Sequence, residues 1–249
     1  MVEEVCFYKL DVLDFMYMWN GKKKAVTFSF DDGIRQDFRM VELLDKYNLK
    51  ATFNLNSGLF GKENPYETNG RIVERTRIDP TRIKELYVNH EVAVHTVEHL
   101  NLTELPEEFV TWQVEEDRKN LEKLIGKDIR CMAYPCGGVN NNDDVAKIIM
   151  ETSKIRFART ITSTHSFDMQ ENLLRFNPTL HFRDDRLFEL AEKFILLNAN
   201  TPQLFYVWGH TYELDFKDGA WERFEAFCRL ISGREDIFYG TNDEVCLKK

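Results

Sequence analysis

The sequence predicts an α/β fold: a parallel (β/α) barrel, irregular or incompletely closed, with about seven parallel strands. Three observations predict it. Short apolar runs rich in Val, Ile, Phe and Thr alternate with longer segments of helical period along the whole chain, the pattern of a parallel sheet joined by crossover helices. About seven or eight such units follow one another, enough to bring a sheet round towards closure. No repeat, low-complexity stretch or Pro/Gly-rich linker interrupts them, so residues 1–249 are expected to form one domain. An open, doubly wound sheet is the competing arrangement, because periodicity does not separate the two.

The expected strands, in order, are Lys24–Phe30, Ala51–Leu55, Glu91–Val94, Ile129–Ala133, Phe157–Thr160, Thr179–Phe182, Gln203–Trp208 and Ile237–Tyr239. Each is short and apolar enough to be buried on both faces. Between them, Phe38, Val41, Leu44 and Tyr47 recur at helical spacing. Asp79-Pro80 is an N-cap with proline at the first helical position, ahead of Ile83 and Leu86. A longer helix carries Val110, Val114, Leu121 and Leu124 from a start near Pro106, and Val145, Ile148 and Ile149 follow capping Asn and Asp residues. Leu187, Leu190, Phe194 and Leu197 form another stripe, with Asp184-Asp185 as its expected cap, and Trp221, Phe224 and Phe227 the last.

The composition limits the partners. Nineteen Phe, nine Tyr and four Trp supply a sizeable core, and a formal net charge of −9 suits a neutral or small substrate rather than nucleic acid. Five cysteines (Cys6, Cys131, Cys136, Cys228, Cys246) lack Cys-x-x-Cys spacing and read as free thiols. The start has early acidic residues and no uninterrupted apolar run, and no stretch approaches the ~18 apolar residues of a membrane span. The expectation is a cytoplasmic protein of undetermined oligomeric state, with no membrane partner.

Residues with chemical potential cluster just after strands, and in parallel barrels the active site forms at the C-terminal strand ends. Phe28-Ser29-Phe30-Asp31-Asp32-Gly33 delivers two carboxylates into a turn. One can be neutralised by a cation while the other accepts a proton; a plain Asp-Gly turn is the alternative. His95-Thr96-Val97-Glu98-His99 puts two imidazoles four apart, which on a helical turn share a face and can chelate one divalent ion. With Asp32 they suit zinc and other transition metals such as cobalt, nickel or manganese, among which imidazole and carboxylate do not select; zinc is the expected ion. Phe205 to Thr211 ends a strand in Gly209-His210, placing a proton donor near such an ion.

Thr27 to Gly33, then His95-Thr96-x-x-His99, then Tyr134-Pro135-x-Gly137, then a late strand ending in His210 resemble the polysaccharide deacetylases, the NodB homology group or carbohydrate esterase family 4. The resemblance runs from about Lys24 to His210 and implies a distorted (β/α) barrel that removes N- or O-linked acetyl groups from sugars with a divalent metal. Position by position it implies Asp32, His95 and His99 as metal ligands, Asp31 as general base, His210 as general acid and the Cys136 N–H as oxyanion donor. The sequence departs from the family pattern where Ala133 replaces the Arg that orients the base, where Cys136 replaces an aromatic, and where the Asp and Trp of the fourth motif are not recognisable. Arg159, at the end of its strand, is the candidate to supply the missing guanidinium. Tyr134, His181 and Trp208 are candidates for the substrate wall.

Three other activities fit parts of this pattern. Hydrolysis of a small cyclic or linear amide, as in allantoinase-like relatives, uses the same site without acetate release. A two-His-one-carboxylate iron oxygenase uses the same ligand set, but on β-sandwich-like scaffolds that this chain does not predict. A metal- and sugar-binding protein with reduced catalysis is suggested by the missing Arg at position 133, and opposed by the presence of both Asp31 and His210.

Overall fold

The computed structural model describes residues 18–68 and 70–248, so Cys6 and the reading of the chain's first residues lie outside it. Its centre is a curled sheet of seven parallel strands in the order β7-β6-β5-β2-β1-β9-β8, with β10 also pairing in parallel with β1. The strands are β1 (Lys24–Asp31), β2 (Ala51–Leu55), β5 (Glu91–Val94), β6 (Cys131–Ala133), β7 (Phe157–Arg159), β8 (Leu180–His181), β9 (Gln203–Gly209) and β10 (Ile237–Tyr239). All eight expected strands form, and the sheet is the incompletely closed barrel rather than the open doubly wound alternative. Outside it run α1 (Asp37–Lys46), α2 (Pro80–Leu86), α3 (Glu107–Ile125), α4 (Asp143–Thr152), α5 (Leu187–Leu196), α6 (Ala220–Ile231) and α7 (Asn242–Cys246). Among the described residues no helix is long and apolar enough to cross a membrane, and Cys131, Cys136, Cys228 and Cys246 are free.

Strand alternation divides the side chains into two sets. Val26, Phe28 and Phe30 of β1, Phe53 and Leu55 of β2, and Phe205 and Val207 of β9 pack outward against the helices in one large cluster. Phe28 and Phe30 meet Phe224 of α6 edge-on at 6.3 and 6.1 Å, and each fully buried aromatic contributes about 1.5–3 kcal/mol. The opposite residues face inward, where Ala25, Ala93, Cys131, Phe157, Leu204 and Tyr206 close the lower barrel. Above them the interior turns polar. Ser29 pairs in register with Thr52 and Trp208, and Asp31 with Asn54. The same period of two that builds the core therefore carries a column of polar groups to the C-terminal mouth.

Three features differ from the expectations. A short antiparallel hairpin, β3 (Tyr66–Thr68) and β4 (Arg71–Val73), is inserted before α2; its three-residue strands are largely exposed and carry no apolar period. α7 is a five-residue helix held by a Thr241/Glu244 capping box. The Asp184-Asp185 pair is not the cap of α5: Asp184 instead accepts from the Arg186 N–H and from His165 Nε2 at 2.8 and 2.7 Å.

Candidate active site

Asp31 ends β1, and Asp32 and Gly33 turn the chain away with φ of 88° and 60°. A Cβ at Gly33 would fall 2.6 Å from Leu55 Cδ2, and glycine adopts the positive φ of this turn without strain, so it suits the turn that follows the two carboxylates. His95 and His99 are not on a helical turn. They lie on a loop after β5, bent by left-handed residues at Thr96 (φ 69°) and His99 (φ 59°). Side chains of α3 replace the hydrogen bonds a helix would have supplied: Asp117 accepts from the His95 N–H at 3.0 Å, and Gln113 Oε1 from the Glu98 N–H at 3.0 Å. Such strained backbone persists only where its surroundings over-determine it.

The loop brings three groups together. Asp32 Oδ1 lies 3.4 Å from His99 Nε2 and 3.9 Å from His95 Nε2, and one ligand atom from each residue fits within 4.8 Å of the others. His95 Nδ1 is 2.8 Å from the Ala133 carbonyl, which only accepts, so the proton sits on Nδ1 and the Nε2 lone pair faces Asp32. Burial pushes His95 down to about 4 and lowers His99 as well, keeping both rings neutral and able to coordinate. Burial also pushes the Asp32 carboxyl up, but Arg77 and the surrounding histidines outweigh it and hold the group far below the usual range. Arg77 Nη1 approaches Asp32 Oδ1 at 2.9 Å, yet its hydrogens go to the Asp32 main-chain carbonyl and to Asn56. Asp32 Oδ1 is thereby left buried without a hydrogen-bond donor. A buried carboxylate oxygen that accepts no hydrogen bond, although it is ion-paired with Arg77, lies beside two imidazole lone pairs and makes with them a donor set that fits a divalent cation.

Asp31 sits beside this cluster, its Oδ2 4.0 Å from His95 Nε2. Arg159, which has no exposed surface, reaches both Asp31 oxygens with one nitrogen, at 2.6 and 2.5 Å. Its other nitrogens donate to Ser29 Oγ and the Thr160 carbonyl, and its guanidinium stacks on Trp208 at 4.4 Å. Asn54 Nδ2 donates to Asp31 Oδ1 at 2.8 Å. Burial alone would raise Asp31; Arg159, His95 and His210 reverse that and hold it ionised. Register explains the arrangement, since Ala133 pairs with Arg159 across β6 and β7. Ala133 carries no guanidinium, and Arg159, beside it on the next strand, brings one to Asp31.

On the far wall, His210 follows β9. Gly209 must lack a side chain, because a Cβ would fall 2.2 Å from the Phe182 ring. Glu213, three residues on in a 3₁₀ turn, lies 3.7 Å from His210 Nδ1 and 2.9 Å from His181 Nε2. Burial lowers His210, but Glu213 and Asp32 outweigh it and raise the group to about 9. A cavity of about 280 Å³ joins these parts, lined by Asp31, Asp32, His95, His99, Trp208 and His210 among others. Cys136 lies on its rim with φ 69° and Sγ 3.9 Å from His99 Nδ1, and its N–H has no acceptor among the described residues. Tyr134 reaches the cavity wall, but its hydroxyl turns away to the Leu174 carbonyl at 2.8 Å. His181 stands behind the cavity, between Trp208 and Glu213.

The sequence reading missed Arg77, Asn54 and Arg75, and did not give Glu213 a role. Arg75 and Arg77 arrive because residues 74–78 run beside 33–35, through bonds such as Ile78 N to the Gly33 carbonyl at 2.9 Å. No local pattern signals that pairing. Glu213, three residues from a candidate acid histidine, was the one with a legible signal.

No curated protein sequence matches the chain. The family model described as "Polysaccharide deacetylase" matches residues 19–152, more than half of it. Among solved structures, a deacetylase, PplD, from Streptococcus pyogenes is 23% identical over 60% of this chain and 61% of its own, with a TM-score of 0.48. A family 4 carbohydrate esterase from Streptomyces lividans is 11% identical over 90% and 96%, with a TM-score of 0.52. A family 4 pseudoenzyme from Bacillus anthracis is 16% identical over 90% and 65%, with a TM-score of 0.51. The chain spans less than two thirds of the Streptococcus and Bacillus proteins. By its family-model match and its fold, the chain belongs to the polysaccharide deacetylase family, the NodB homology group.

Proposed function

We propose that the protein is a metal-dependent deacetylase that removes an N- or O-linked acetyl group from a sugar. Asp32, His95 and His99 would hold a divalent cation, with zinc the best match to two imidazoles and a carboxylate. Bound there, the cation would supply Lewis acidity and lower the pKa of water at the site.

The chain's own residues would do the rest. Arg159 and Asn54 keep Asp31 ionised and fix its orientation, so it can accept a proton from water attacking the acetyl carbon. Cys136 lines the same cavity and its N–H has no acceptor among the described residues, so it would be the donor that stabilises the oxyanion that forms. His210, kept protonated by Glu213, can donate to the departing sugar nitrogen or oxygen. Trp208 offers its face both to the Arg159 guanidinium and to the cavity.

One observation carries this reading. An Asp32 oxygen that accepts no hydrogen bond and two lone-pair nitrogens converge beside a carboxylate held ionised by a buried arginine, with His210 paired to Glu213 on the opposite wall. The test is acetate release from N-acetyl and O-acetyl sugars by zinc-reconstituted protein and by Asp31→Asn. Release by the wild type that drops at least about a hundredfold in the variant supports the reading. Equal release by both, or none from any acetylated sugar by fully loaded protein, would overturn it.

A further inference from the structure

Several arginines on the segments that carry or flank the site are committed to carboxylates. Arg35 pairs with Glu74, Arg71 with Asp218, Arg77 with Asp32 and Arg183 with Glu213. Arg75 pairs with no carboxylate among the described residues, yet it lines the cavity together with Asp31, His99 and His210. It is also held in place. Its guanidinium lies 4.9 Å from the Tyr66 ring and 5.0 Å from the Tyr212 ring, sandwiched between the inserted hairpin and the 3₁₀ turn after β9. Its Nε donates to the Asn64 carbonyl at 3.0 Å. Tyr212 in turn lies 5.2 Å from the His210 ring, so Arg75 stands one aromatic ring away from the candidate general acid. The hairpin is fastened at this spot by Arg71, which donates to the Asp215 carbonyl.

A guanidinium held against two tyrosine rings, by one backbone bond and beside the Tyr212 hydroxyl, with no carboxylate partner among the described residues and a cavity in front, is preorganised for an oxyanion. A solvated surface arginine needs no such frame. Arg159 and Arg77 are already spent on Asp31 and Asp32, whereas Arg75 lines the same cavity with no carboxylate of its own among the described residues, so its charge is available to a ligand. We infer that Arg75 forms a subsite for an anionic substituent, a carboxylate or a phosphate ester, on the acylated sugar. The sugar is named from the deacetylase reading; the preference for an anion is not, and can be measured without turnover.

The experiment titrates N-acetylglucosamine, N-acetylglucosamine 6-phosphate and N-acetylmuramic acid into zinc-loaded and metal-free protein by calorimetry at low salt. It uses the wild type, Arg75→Met and Arg75→Lys. The wild type should bind at least one charged sugar about tenfold or more tightly than the neutral one, and the preference should shrink as salt rises. Phosphate or carboxylate as the favoured probe identifies the source of the anion. Arg75→Met should abolish the preference and Arg75→Lys should keep part of it; if the Met variant does not fold, the Lys variant must still show a reduced preference. No preference in the wild type, including failure to bind either charged sugar, overturns the inference. So does a preference kept in the Met variant, or one seen only with zinc present, which would place the anion on the metal. Acetate release is scored separately. Preference without release from any sugar would refute the deacetylase reading and leave the subsite standing, whereas release without preference would do the reverse.

Discussion

Replacing Arg159 with Met separates chemistry from metal binding. Arg159 is fully buried and contacts both oxygens of Asp31, so its loss leaves that carboxylate in the interior with Asn54 as its remaining close side-chain donor. Breaking a buried pair by removing one partner costs about 3–5 kcal/mol. The site can relieve part of that by protonating Asp31, since burial now acts on it without the opposing guanidinium. A protonated Asp31 cannot accept a proton from water, and general-base catalysis is worth about 10²–10⁴ in rate. Turnover at neutral pH should therefore fall about a hundredfold or more, and the acid limb of the pH–rate profile should move to higher pH. Zinc content should be unchanged, because Arg159 touches none of Asp32, His95 and His99. The double variant Asp31→Asn/Arg159→Met should regain much of the stability lost in Arg159→Met, because the unpaired charge is gone. The assay is acetate release against pH, with urea unfolding and elemental zinc analysis on the same preparations. Full activity and an unmoved acid limb in Arg159→Met would refute the reasoning.

Three further outcomes follow from the geometry. Glu213→Gln removes the charge that raises His210 to about 9, so the basic limb of kcat/KM should move to lower pH with zinc content intact; an unmoved basic limb in steady-state kinetics would count against His210 as the acid. Gly209→Ala puts a Cβ 2.2 Å from the Phe182 ring, and overpacking of that kind should cost about 1–3 kcal/mol in urea unfolding. Buried Asp37, which accepts from the Thr211 and Tyr87 hydroxyls, is pushed up to about 7 by burial, from 3.8. The folded state thus keeps a proton that the unfolded chain has lost, so this contribution is fully present below pH 3.8 and fades as pH rises through about 7. Asp37→Asn should flatten that decline, by about 1.4 kcal/mol for each pH unit of the gap; parallel wild-type and variant stability curves from pH 4 to 7 would contradict it.

The strands were legible because each is a short apolar run buried on both faces, as in β1, whose eight residues are all buried. The β3–β4 hairpin was not, since its strands are three residues long and sit largely exposed, without an apolar face to betray them. Asp31, Asp32, His95, His99 and His210 could be picked out because strand ends bring carboxylates and imidazoles to one mouth. The helical turn expected for His95 and His99 failed because spacing of four is also met by a bent loop, and what bends it, Gln113 and Asp117, lies on another element. Arg159 could be found by position, as a strand-end arginine in a chain lacking one at 133. Arg77 and Arg75 could not, because their role depends on residues 74–78 lying beside 33–35. Pairing between distant segments is where a single sequence is least informative.

Asp32, His95 and His99 are proposed to form one metal site. Its most direct test is the zinc stoichiometry of the wild type, of Asp32→Ala, His95→Ala and His99→Ala, and of Asp31→Asn and Arg159→Met. One zinc per chain is expected in the wild type, kept in Asp31→Asn and Arg159→Met and lost in each of the three ligand variants. At zinc concentrations a hundredfold above its Kd, the wild type should also gain about 2.7 kcal/mol of stability that the ligand variants lack. A wild type that binds no zinc stoichiometrically, or ligand variants that bind it as the wild type does, would contradict the account.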